Sequence, residues 1–81
     1  MTAPVATHLD PLPGHRITVT VGDLGATVGR AWMDCQCGIT ATRATRWAAE
    51  QAGLIHHADV AEAMGDRAAA QTARDLIGRA R

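Results

Sequence analysis

Phenylalanine and tyrosine are absent from this 81-residue chain, which leaves Trp32 and Trp47 as its large aromatic anchors. An aromatic-rich core is therefore excluded. Val, Leu, Ile, Met and many alanines must fill the interior, and single cores are usually built from about 100–150 residues, so burial alone leaves such a chain marginally stable. A metal, a disulfide or a partner chain is the usual supplement. A shallow core of this kind often continues into an oligomer interface, which makes a homodimer one expected assembly.

Lysine is missing too. All 8 basic residues are arginines, matched by 8 acidic ones for a formal net charge of zero. No overall field attracts nucleic acid or an anionic membrane. Long apolar runs are lacking: nothing approaches the roughly 20 residues of a membrane span, and the N-terminus has no basic region followed by an apolar stretch. A cytoplasmic protein without a membrane partner is expected. Cysteine is scarce as well, and the 2 present are separated by one residue. A disulfide between them would close a very small, strained ring, so free thiols or metal thiolates fit better than a secreted-type framework.

What is present divides the chain in two. Residues 1–15 hold Pro4, Pro11, Pro13 and Gly14 without an apolar period and read as an irregular or mobile arm. Residues 16–81 read as a single α+β domain, an N-terminal antiparallel β-hairpin or three-stranded meander followed by two or three short α-helices. Arg16 to Val21 alternates, with Ile17, Val19 and Val21 on one face, as a half-buried strand does. Gly22-Asp23-Leu24-Gly25 supplies turn chemistry, and a second strand follows from about Ala26 to Cys35, with Gly29 suggesting a bulge. After Cys37-Gly38, Ile39 to Thr42 alternates again as a short third strand, unless the helix starts there.

From about Ala44, the positions Ala44, Trp47, Ala48 and Ala52 follow helical spacing, and Gly53 has the character of a C′ cap. His56-His57 then precedes a short helical pattern with Val60, Ala61 and Met64. It stops at Gly65-Asp66, where Asp66 is suited to N-cap a last segment. There Ala69, Ala73, Leu76, Ile77 and Ala80 share a face, and Asp75 stands four residues before Arg79 as a supporting pair.

One constellation carries chemistry. Cys35-Gln36-Cys37-Gly38 and His56-His57 offer thiolates and imidazoles, the preferred ligands of tetrahedral zinc. A strand over 39–43 travels about 16 Å away from the turn at ~3.3 Å per residue. A helix from about 44 to 56 returns about 18 Å at ~1.5 Å per residue. The legs match, so Cys35, Cys37, His56 and His57 are candidate zinc ligands, with His15, His8, Asp59 or water as a further one. A helix starting directly after Gly38 would put the histidines a full helix length away. The same residues also read as small packed thiols and a polar inter-helix turn.

The stretch Trp32 to His57, with its Cys-x-Cys-Gly element and a helix ending in histidine, resembles small uncharacterised proteins of actinobacteria and their phages. It covers about a third of the chain. The resemblance implies a zinc-binding domain of phage or mobile-element origin. Ile39 stands where those proteins carry an aromatic residue, and the histidines here are adjacent instead of spaced.

No set of residues suggests catalysis. Glu50, Glu62, Asp59 and Asp66 show no pairing for acid–base work, and the Gly-x-x-Gly of 22–25 lacks the lysine of a phosphate loop. The expected function is a small non-catalytic binding module, zinc-stabilised and acting by protein–protein interaction. One alternative is a zinc-containing nucleic-acid-binding domain using Arg43, Arg46 and Arg16 on phosphates. Another is a thiol redox protein, for which the sequence offers no Cys-x-x-Cys motif.

Overall fold

The structure is a computed structural model and describes residues 2–4, 9–22 and 30–78. Four strands come first: β1 (Thr2–Pro4), β2 (Ile17–Gly22), β3 (Arg30–Cys35) and β4 (Thr40–Arg43). Two helices follow, α1 (Arg46–Ala63) and α2 (Arg67–Leu76). The strands form one antiparallel sheet in the order β1-β2-β3-β4. The α+β architecture and the third strand of the meander agree with the sequence pattern.

Side-chain alternation sets which face of the sheet is covered. Ile17, Val19 and Val21 on β2 face the same way as Cys35, Met33 and Ala31, their register partners on β3. These residues, with Ala41 of β4, meet Ala49 and Ala52 of α1 to form the main core. Val19 and Met33, paired across the strands, are its largest fully buried side chains.

The second helix packs against the first instead of the sheet. The Asp66 amide donates to Ala61 O, and the Gly78 amide donates to Gln51 Oε1, so the two helices run antiparallel. Their seam is made of small residues. Ala58, Ala61, Ala70 and Ala73 are all buried, and alanines at such a seam let helix axes approach toward the short end of the usual 8–10 Å range.

Three features depart from the sequence pattern. The 1–15 segment is not irregular throughout: Thr2–Pro4 pairs with Thr18–Thr20 as an edge strand, and Leu12 is buried against Ala61 and Ala70. Gly53 does not end a helix. It lies inside α1 on the buried stripe Ala49, Gly53, His57, Ala61, whose four-residue spacing keeps one face against its neighbours. Tertiary packing along that stripe outweighs the roughly 1 kcal/mol propensity cost of an interior glycine. His56-His57 is accordingly helical, not an inter-helix turn. The turn residues 23–25, the expected bulge at Gly29 and the Asp75–Arg79 pair involve positions outside the described residues.

The helix boundaries have local causes. Thr45 has extended backbone angles and its hydroxyl accepts from the Ala48 amide, which N-caps α1. Asp66 does the same for α2 through the Ala69 amide. Between the helices Gly65 adopts φ 81°, a left-handed conformation that ends α1 and that glycine takes without a Cβ penalty. Thr45→Ala is expected to cost about 1 kcal/mol by leaving the Ala48 amide uncapped. Urea denaturation checks this, and an unchanged midpoint would show that the cap contributes nothing.

Candidate metal centre

Four ligand-bearing side chains from separate parts of the chain meet at one edge of the sheet. His15 closes the turn Leu12-Pro13-Gly14-His15, in which its amide donates to Leu12 O at 2.9 Å. Cys35 ends β3, and Cys37 follows in the turn toward β4. That turn is closed by the Gly38 amide on Cys35 O at 2.9 Å and the Cys35 amide on Ile39 O at 2.8 Å. Gly38 holds φ 99°, the left-handed region that a side chain would strain. His56 comes from the third turn of α1. The Gln36 amide donates to Arg16 O at 2.9 Å, which locks the start of β2 beside the cysteine turn and so sets His15 next to Cys35.

One ligand atom from each of His15, Cys35, Cys37 and His56 lies within 4.8 Å of all the others. Cys35 Sγ is 3.7 Å from His15 Nδ1, and Cys37 Sγ is 3.4 Å from His56 Nε2. A tetrahedral zinc with Zn–S of ~2.3 Å and Zn–N of ~2.0–2.1 Å requires sulfur–nitrogen edges of about 3.6 Å. These two edges bracket that value. The His15 and His56 rings stand 5.9 Å apart between centroids and are tilted by 58°, which avoids a stacked pair. The donor set could hold one metal ion.

The surroundings are graded. Cys35 is buried, His15 and His56 are half-buried, and Cys37 is exposed. Burial pushes the Cys35 thiol above its ordinary value, opposed in part by the Cys37 backbone amide. A bound cation would reverse this, because coordination deprotonates a thiol.

Of the four ligands expected from sequence, Cys35, Cys37 and His56 come together here and His57 does not. Consecutive helical residues point about 100° apart, so adjacent histidines on α1 face different neighbours. His57 is 6% exposed and lies on the buried stripe, lining a cleft with Leu12 and Asp66. Burial lowers its pKa first, the charge of His56 lowers it further, and Asp66 opposes both. His15, one of several options from sequence, occupies the fourth position; Asp59 is not in the group, and His8 is outside the described residues.

Arg16 and Arg43 lie toward opposite ends of the sheet's strands. Arg43 is paired across the sheet with Ala31, in the row of Val21, while Arg16 precedes Ile17 at the opposite end of β2. That separation is about 17 Å along the strand. Arg43 donates to the Thr42 carbonyl, and Arg46 pairs with Glu50 at 3.4 Å. Among the described residues, no helix is long and apolar enough to cross a membrane.

Comparison with protein families, curated proteins and solved structures finds no match. Function is therefore read from the chemistry of the site.

Proposed function

We propose that this chain is a small non-catalytic binding module, built around one structural zinc ion, that docks on another protein in the cytoplasm. The observation that carries the reading is the convergence of His15, Cys35, Cys37 and His56 within 4.8 Å. A donor set of two thiolates and two imidazoles favours zinc over the harder divalent cations, which take oxygen ligands. Four protein ligands also close the coordination sphere, as in structural sites, whereas catalytic zinc keeps a position for water or substrate.

Docking on a protein is supported by exposed apolar residues close in sequence to the ligands. Ile39 is 50% exposed and stands two residues after Cys37; Ile55 is 48% exposed and precedes His56. Ordering of the cysteine turn and α1 by the ion would hold both in place.

Cobalt substitution tests the site. Titration of metal-free protein is expected to give the visible bands of tetrahedral cobalt with thiolate charge transfer, saturating at about one equivalent. Added azide is expected to leave that spectrum unchanged. A spectrum that shifts with azide would reveal an open coordination position and contradict a purely structural ion.

A further inference from the structure

The four ligands are not equivalent in what holds them. Cys35, Cys37 and His56 belong to the sheet and α1, but His15 belongs to the segment 9–16, which crosses outside both. Three residues before His15, Leu12 is 7% exposed and rests on Ala61 and Ala70 at the α1–α2 seam. The same segment forms one wall of the cleft that contains His57, through Leu9, Pro11 and Leu12. His15 and Leu12 are thus the two anchors of a strap laid over the helical hairpin.

Among the described residues, the strap's other hydrogen bonds gather at its C-terminal end. The His15 amide bonds to Leu12 O within the strap itself, and at Arg16 the amide reaches Gln36 Oε1 at 3.3 Å in an exposed position while the carbonyl accepts from the Gln36 amide at 2.9 Å, so residues 9–15 have no such backbone tie to the rest of the fold among the described hydrogen bonds. Burial of one leucine returns less than the entropy lost in fixing several backbone residues. Ligation of His15 supplies the missing fixation.

Resting on the zinc reading above, we propose that zinc occupancy is a clasp that controls this strap. With the ion bound, residues 9–16 are pinned across the seam and cover Leu12's contacts on Ala61 and Ala70. Without it the strap lifts while the sheet and helices stay folded, and the seam with its neighbouring His57 becomes a surface available only in the zinc-free state. The site would then report zinc availability as accessibility of a second surface.

Hydrogen exchange of the whole chain tests this in three forms: wild type, His15→Ala and His15→Cys, each with saturating zinc and with chelator. Wild type is expected to show exchange at residues 9–16 slowed by about tenfold or more with zinc, and β2, β3 and α1 protected in both conditions. His15→Ala, which keeps three ligands, should bind zinc yet leave 9–16 fast. His15→Cys, which restores a fourth ligand, should recover the slowing. Zinc bound to wild type with no change at 9–16 would overturn the clasp while leaving the zinc site standing. Uniform loss of protection on chelation would also overturn it, because the ion would then hold the whole fold. No zinc bound by wild type would overturn both.

Discussion

Cys37→Ser is expected to abolish the zinc-dependent part of the protein's stability and to leave its zinc-free stability unchanged. The separation is clean because Cys37 is exposed and contributes no core packing. Replacing a thiolate with a neutral hydroxyl removes a direct ligand, and the affinity should fall by more than about a hundredfold, the upper end of the loss seen when a merely supporting residue is changed. With free zinc at about a hundred times its dissociation constant, binding stabilises the wild type by about 2.7 kcal/mol. In a domain of this size that is a shift of about 10–20 °C in melting temperature. Thermal melts of wild type and Cys37→Ser should therefore differ by that amount in zinc and coincide in chelator. His57→Gln is the companion variant. Since His57 faces the cleft beside Leu12 and not the cysteines, it should keep the full zinc-dependent shift. Loss of that shift in His57→Gln with retention in Cys37→Ser would transfer the site to the wrong histidine and refute the ligand set.

Met33→Ala is expected to be the most damaging single core change, at about 2–5 kcal/mol. Met33 is 2% exposed, sits on the central strand β3 opposite Val19, and is the largest fully buried side chain beside it. The rest of the core is supplied mainly by alanines and short branched residues, which have little reach to fill a void. A small domain has about 5 kcal/mol to lose. The variant should consequently be largely unfolded in chelator and recover part of its structure in zinc, because ligand binding draws the equilibrium toward the folded chain. Far-ultraviolet circular dichroism in both conditions reads this directly. A melting temperature within a few degrees of wild type would mean that the sheet–helix interface is not where the stability resides.

The sequence was most legible where period and arithmetic were unambiguous. Ile17, Val19 and Val21 alternate, so β2 and its covered face follow from the pattern alone. The return of His56 to the cysteine turn followed from matched lengths of strand and helix, and Cys37 and His56 do lie 3.4 Å apart. Asp66 at the head of α2 was readable from its place after Gly65.

Other features left no such trace. Thr2, Ala3 and Pro4 have no apolar alternation, and β1 exists because β2 offers an edge to pair with. Leu12 is one apolar residue between two prolines, and only the α1–α2 seam makes it core. Gly53 carries the local signature of a stop, but it falls on the packing stripe of α1, a property visible only once α1 has neighbours. The choice between His56 and His57 depends on the rotation of α1 about its own axis, which the capping of Thr45 and the burial of Ala49 fix together. His15 was one of several options for the fourth ligand until the Arg16–Gln36 backbone bond set it beside Cys35.

The most direct test of the account is the metal content of the full chain purified without chelator or affinity-tag metal, measured together with its thermal melt before and after chelation. About one zinc per chain is expected, with a melting temperature that drops by about 10–20 °C when the zinc is removed. A metal-free protein whose melt is indifferent to zinc and chelator alike would contradict it, and would reduce His15, Cys35, Cys37 and His56 to neighbours in an otherwise ordinary α+β core.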